Sequence, residues 1–464
     1  MTLTLAALLI CVQDEGWSRP VELAKDRTTI PWALARVEGG LALAAIRIED
    51  GRGFTWMFHL SKDAGRNWTK TGEFEAGKMD GPPAALVRGG RLLTAAVQDG
   101  KKLTFRSFDL ATGKPDEAIS IDVEGLDKVQ DDVWPTLVEH GGALHLLCAK
   151  QDERDRIFVL RSADGGKKWS ALPVPEWTTH HRDGCRALLF AAGRDLHVVF
   201  SPDREMASIS HYSSADGGKS WTDRKTAFPA DGSKVFPMAV AVDGDRVCIA
   251  YGRGSSKAKT EIRAMTSADG GRTWAAGGTM LETRVDDMSL LCSVAVAGEK
   301  AAFFGLTFSP EQKQVGTAVV LSRDGGRTWK DLDLSERMKQ VNLFSTGTFS
   351  ADGSELYVAF VNAADMSVLE GRGEGHLLFR RWGRPEASQQ PPLTEEERKQ
   401  VLALVERLGD EDLEAREEAT RKLIEAGERA LPLIREVLGR TKEGEVRSRL
   451  EAVVAKIVPP WWKG

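Results

Sequence analysis

From Ile30 to Trp382 the apolar residues fall in short runs of strand length, separated by glycine-containing turns and polar loops. The segments "LARVEGGLALAAI", "ALVRGGRLLTAAV", "TLVEHGGALHLLC" and "VAVDGDRVCIAY" each set two apolar runs on either side of such a turn. That pattern predicts a β-hairpin. In each unit a variable polar loop follows, then a third apolar run, a polar motif and a short fourth strand. Four strands in about 50 residues is the pattern of a β-propeller blade. Beyond Trp382 the period changes. "GRPEASQQPP" is a polar, proline-containing linker, and Leu413, Ala419, Leu423 and Ile424 then recur at helical spacing. Thr394 and Glu397 have the spacing of a capping box. The spacing predicts a helix stopping at Gly427, another with Pro432 in its first turns, and a last one reaching about Ile457.

The polar motif repeats. "SKDAGRNW" begins at Ser61, "SADGGKKW" at Ser162, "SADGGKSW" at Ser214, "SADGGRTW" at Ser267 and "SRDGGRTW" at Ser322. The last four copies are 52, 53 and 55 residues apart. The double gap between the first two hides a degenerate copy, "SFDLATGKP", which keeps Asp109 and Gly113 but lacks the tryptophan. A final unit, "FSTGTFSADGSELYVAFV" with "HLLFRRW", has three strands and no such motif. The early segment "RPVELAK" around Val21 is placed to supply its fourth strand and close the ring. The count is seven blades, with six as the alternative. Repetition argues for structure, since one catalytic site needs one set of groups. The Asp and Ser side chains suit a tight turn, and the fifth-position glycine permits positive φ. The tryptophan can pack between blades. Structural roles are therefore assigned to Asp63, Trp68, Asp164, Trp169, Asp216, Trp221, Asp269, Trp274, Asp324 and Trp329.

These Ser-x-Asp-x-Gly-x-x-Trp copies resemble the Asp-box (BNR) repeats of the sialidase superfamily, over about Ile30 to Trp382. The helical segment is similar to a HEAT-type module. The expected organisation is 1–13 as a possible signal peptide, 18–385 as propeller, 386–392 as linker and 393–458 as helical module. Helical repeats bury their apolar faces against neighbours, so the module is expected to dock on the propeller or on a protein partner. The resemblance implies that the motif turns lie away from the ligand face. Strand order agrees, because the turn joining strands three and four is opposite the loops joining two and three.

A net charge of -5 and a pI near 6.0 give no basic footprint for nucleic acid. The apolar run Leu3–Val12 reads as an export-signal core without a basic residue before it. A secreted or periplasmic protein is expected. No other apolar run nears the roughly 18 residues that span a bilayer. Cys148, Cys185, Cys248 and Cys292 sit singly in strand-like runs, without a CxxC pair, and read as buried thiols.

The ligand face is expected just before each first strand and in the loops after each second strand. That set includes Trp32, Arg47, Asp80, Asp132, Trp134, His181, Arg182, Arg204, Arg253, Asp287 and Phe344, and suggests a charged, mainly acidic rim with a few aromatics. His180–His181 with Asp183 invites a metal reading, but adjacent strand residues point to opposite faces, so no transition metal is assigned. Calcium at the acidic pairs Asp131–Asp132 and Asp286–Asp287 is the one cofactor left open.

For sialidase chemistry the resemblance implies three arginines on the substrate carboxylate, a Tyr–Glu nucleophile and an acid/base Asp. Here the first arginine is replaced by Thr29, and the tyrosine that opens the last inner strand by Phe344. Asp50 matches the acid/base position and Arg253 one arginine. No Glu stands at Val235–Pro237, and Tyr251 is the remaining loop-side hydroxyl. The reading is a glycan- or protein-binding propeller without sialidase chemistry. The alternative is a sialidase-like glycoside hydrolase using Asp50, Asp131, Asp183 or Tyr251.

Overall fold

The computed structural model describes residues 16–26, 29–48, 53–79, 81–98, 102–129, 133–151, 155–179, 187–202, 206–225, 228, 233–254, 260–283, 292–309, 314–334, 341–363, 374–383, 393–442 and 444–457. Two strands, β1 (Gly16–Trp17) and β2 (Val21–Asp26), precede the first complete sheet. Blade 1 is β3 (Thr29–Val37), β4 (Gly40–Ile48), β5 (Gly53–Ser61) and β6 (Thr69–Lys78). Blade 2 is β7 (Ala84–Arg88), β8 (Arg91–Gln98), β9 (Lys102–Asp109) and β10 (Ile119–Ser120). Blade 3 holds β11 (Thr136–His140), β12 (Ala143–Ala149), β13 (Ile157–Ser162) and β14 (Ser170–Ala171). Blade 4 holds β15 (Leu188–Ala192), β16 (Asp195–Phe200), β17 (Ser210–Ser214) and β18 (Thr222–Asp223). Blade 5 comprises β19 (Val235–Asp243), β20 (Arg246–Gly254), β21 (Thr260–Ser267) and β22 (Ala275–Thr283). Blade 6 comprises β23 (Ser293–Ala297), β24 (Lys300–Ser309), β25 (Gln314–Ser322) and β26 (Lys330–Asp331). Blade 7 is β27 (Val341–Phe349), β28 (Leu356–Ala363) and β29 (Gly375–Gly383), completed by β1 and β2 on the outer edge.

Every sheet is an antiparallel meander, and the first strand of each blade touches the first strand of the next, from β3 round to β27 and back to β3. The protein is a seven-bladed propeller. The count of seven, and closure by the segment at Val21, agree with the repeat spacing. The fourth strands differ from the uniform short strand expected: they have two residues in blades 2, 3, 4 and 6, but β6 has 10 and β22 has 9. Apolar core lies between neighbouring sheets, as in the Leu137–Leu146–Phe105 cluster of blades 2 and 3 and the Phe236–Ile262–Phe303 cluster of blades 5 and 6.

The five motif turns share one geometry. The Ser hydroxyl donates to the Asp carboxylate at 2.7–2.9 Å, and accepts from the fifth-position Gly N–H at 2.7–2.9 Å. The Asp also accepts from the backbone N–H four residues on, at 2.9 Å each time. Four of the indoles donate to the glycine carbonyl, from Trp68, Trp169, Trp274 and Trp329. Each turn leans on the sheet before it. Trp68 meets Phe379 with centroids 5.0 Å apart, Trp169 meets Phe105 at 5.6 Å, and Trp274 meets His211 at 5.4 Å.

Blade 7 has no such tryptophan, and β1 supplies one. Trp17 donates its indole N–H to the Leu332 carbonyl at 2.5 Å, beyond the end of blade 6. Its ring stands edge-on to Trp382 at 5.2 Å and under the Arg380 guanidinium at 5.2 Å. Arg380, 1 % exposed, donates to the carbonyls of Leu334 and Ser18.

The strands form one compact unit, Trp17–Leu334 with Val341–Gly383. The helices form another, with α1 (Glu395–Arg407), α2 (Leu413–Arg440) and α3 (Gly444–Ile457). Gly427 breaks α2 with φ 63° and ψ -150°, so the described C-terminal residues form four helices. Thr394 and Glu397 close the capping box on α1, and Asp412 caps α2. Val405, Leu423, Ile434, Leu450 and Val453 fill the space between them. No helix among the described residues is long and apolar enough to cross a membrane.

Candidate functional site

The inner strands converge on the propeller axis around a cavity of about 510 Å³, to which all seven blades contribute. Proline recurs here at Pro31, Pro83 and Pro135. These strands have an edge free of ladder partners, where a missing N–H costs nothing. Three of the inner strands carry a register shift: between Pro31 and Ala33, between Pro237 and Ala239, and between Leu343 and Ser345. The residue in each bulge is Trp32, Met238 or Phe344. A bulge re-aims its side chain relative to the regular strand. Phe344 is also held at φ 43°, a strained setting for a bulky residue.

Trp32 and Trp134 come together at this cavity. Their ring centroids are 6.3 Å apart and tilted by 39°, although the residues belong to blade 1 and to the approach to blade 3. Pro83 stands between them in sequence, and its carbonyl accepts the Trp32 indole N–H at 3.1 Å. Both rings are half-buried, so each keeps surface to offer. Phe190 and Phe344 continue the apolar wall, and Thr136 and Thr346 add hydroxyls, whereas the Ser293 and Ser345 hydroxyl oxygens are buried. Glu139 is the charged residue among the described wall positions, and Arg88 neutralises it at 2.6 Å. The described wall is aromatic and aliphatic; the aspartates of the expected acidic rim lie outside the described residues.

The other candidates separate into three groups. Asp50, Asp80, Asp131, Asp132, His181, Arg182, Asp183, Arg204 and Asp287 lie outside the described residues. Arg47 and Arg253 end the second strands of their blades and turn to carboxylates of their own sheets. Arg47 lies 3.8 Å from Glu73, and Arg253 lies 3.5 Å from Glu261. Thr29 is buried, with its hydroxyl 3.8 Å from the Met57 sulfur. Tyr251 requires a correction: it is not loop-side. β20 continues through it to Gly254, the ring is fully buried against Phe228 at 5.6 Å, and burial pushes its pKa up. A phenol in that setting is poorly suited to ionise as a nucleophile. Cys148, Cys248 and Cys292 are free thiols, and burial pushes the first two up to about 12.

Sequence reading singled out both tryptophans, but missed Pro83 as the acceptor that fixes the Trp32 ring. The three bulges leave no mark in the residue pattern beyond an extra residue before the turn.

No protein-family description matches this chain, and no curated protein does. Solved structures similar to it include a Trypanosoma rangeli sialidase in complex with the inhibitor DANA, at 12% identity and a TM-score of 0.45. That match covers 85% of this chain and 62% of the sialidase, so the chain spans about three-fifths of its length. An ulvan lyase of polysaccharide lyase family PL25, bound to -[GlcA(1-4)Rha3S]-, is similar at 11% identity and a TM-score of 0.47. It is covered over 95% of its length by 78% of this chain. A protein of unknown function from Dyadobacter fermentans DSM 18053 is similar at 12% identity and a TM-score of 0.43, with coverage of 80% of this chain and 99% of that one.

Proposed function

We propose that this propeller binds a glycan at the mouth of its axial channel and does not hydrolyse it. The observation that carries this reading is the half-buried Trp32–Trp134 pair, fixed by the Pro83 carbonyl at the edge of the cavity. A pyranose presents C–H groups on its faces and hydroxyls on its rim. Two tilted indoles offer a surface for the first, and the Thr136 and Thr346 hydroxyls of the wall suit the second. Rigid aromatic surface costs little conformational entropy on binding. Tyr251 and Phe344, the two positions compared with a sialidase nucleophile, offer no hydroxyl at the cavity.

The test is a glycan-array screen run beside a panel of chromogenic glycosides, with Trp32→Ala and Trp134→Ala proteins in parallel. Binding that weakens about tenfold in either variant, roughly 1.4 kcal/mol, without turnover in the wild type, supports the reading. Turnover that disappears in Asp50→Asn or Asp131→Asn would replace it with a glycoside hydrolase.

A further inference from the structure

The fifth-position glycine of each motif turn abuts the neighbouring blade. A Cβ added there would meet Phe379 at Gly65, Phe105 at Gly166, Leu172 at Gly218 and Thr266 at Gly326. At Gly271, between blades 4 and 5, it would meet the imidazole of His197. His197 Nδ1 lies 3.0 Å from His211 Nε2, and the two rings are 0 % and 1 % exposed. Trp274 of blade 5 stands edge-on to His211 at 87°. Phe190 stacks on His197 at 5.0 Å and 9°, and the same Phe190 lines the axial cavity.

Two ring nitrogens at this distance share one proton in a hydrogen bond. One further proton leaves a cation inside the joint, and a second sets two N–H groups against each other. The titratable and charged groups acting on the pair are Asp195, Asp223 and Arg224 of blade 4 and His140 of blade 3. Asp195 lies 3.7 Å from Arg224. Blade 5 presents Trp274 and the backbone of Gly270 and Gly271. Burial holds both imidazoles below the ordinary range; for His211 the charge of His197 and then Arg224 adds to it.

We propose that His197 and His211 form a proton-operated latch between blades 4 and 5, whose release in acid loosens the Phe190 wall and weakens ligand binding in the axial channel. The second half rests on the binding reading above. The sign follows from linkage. An exposed imidazole binds a proton below about pH 6.5, whereas the closed joint resists it, so acid favours the open form.

Hydrogen–deuterium exchange of the full chain, corrected for intrinsic rates, tests the latch between pH 7.5 and 5. Exchange in β16, β17 and the Ser267–Trp274 turn is expected to rise about threefold or more in acid, and to return on neutralisation. His197→Leu/His211→Leu is expected to stay flat; if it does not fold, His197→Gln/His211→Gln carries the same comparison. A flat wild type, or a variant that rises equally, overturns the latch. The strongest-binding array glycan is then titrated at both pH values. Affinity that falls in acid for the wild type alone supports the coupling, and equal affinity at both pH values overturns it. Absence of binding to any glycan overturns the binding reading and the coupling with it, while the exchange measurement still decides the latch.

Discussion

Consecutive residues of one turn have opposite tolerances. Gly165 has φ 76° and open space where a Cβ would stand, whereas at Gly166, φ 96°, a Cβ would lie 2.1 Å from the Phe105 ring. Gly165→Ala should therefore cost only the left-handed strain, about 1 kcal/mol. The protein already tolerates Ala64 at the equivalent place, with φ 57°. Gly166→Ala adds a forced displacement of Phe105, and the total should be about 3 kcal/mol or more. Urea midpoints compare them, and equal losses would mean that the joint yields more easily than its packing implies. Tyr251 gives a prediction of opposite sign. Its hydroxyl is buried and makes no hydrogen bond among the described residues. Removing an unsatisfied polar atom recovers desolvation, so Tyr251→Phe should be neutral or stabilising by about 1 kcal/mol and leave glycan binding unchanged. Lost binding in that variant would return Tyr251 to the site.

The last blade depends on two strands from the other end of the chain, and Trp17 ties them to blade 6 as well. Truncating it removes a ring packed on Trp382 and Arg380 together with the bond to Leu332. Trp17→Ala should cost about 3 kcal/mol, while Trp17→Phe keeps most of the packing and should cost about 1 kcal/mol. Equal thermal midpoints for the wild type and Trp17→Ala would show that β2 alone holds the ring. Closure was legible in the sequence, because a three-strand final unit left one strand to be found and "RPVELAK" was the unassigned apolar run. The role of Trp17 was not, since nothing in "GWSRP" has the motif's pattern and its partners are more than 300 residues away. Tyr251 misled for a local reason: "YGRG" has the glycines of a strand end, yet β20 pairs through all four residues. Trp32 and Trp134 could be placed on the ligand face from strand order, but not against each other. Their approach depends on the bulge after Pro31 and on the curvature of three blades.

Over the whole ring, acid should unfold the propeller in two separable stages. The motif aspartates sit at the solvent side of their turns, so their depressed pKa values come from hydrogen bonds. Asp324 is held at about 2 by the Thr328 hydroxyl and then its backbone N–H. Partial burial pushes Asp63 and Asp269 up, but donors from Asn67 and Thr273 outweigh it and leave both at about 2. Asp164 and Asp216 are lowered for the same reason, as is Asp352 in the turn between β27 and β28 of blade 7, which accepts from Ser350 and Ser354. An unfolded chain protonates such carboxylates near pH 4. Between about pH 4 and about 2 it therefore binds more protons than the fold, and stability falls as pH falls. The buried imidazoles act earlier. Burial takes His59 and His145 to about 4, so the unfolded state gains protons there between about pH 6.5 and 4. Denaturant midpoints measured against pH should show a shallow decline in the histidine window and a steeper one below it, where turns on six of the blades titrate together. Asp269→Asn/Asp324→Asn should flatten the lower stage and leave the upper one intact. Salt at 0.5 M, which screens charge but not hydrogen bonds, should change the lower stage little. A lower stage that vanished in salt, or kept its slope in the double variant, would mean that charge interactions across the propeller, and not the repeated turns, set its acid limit.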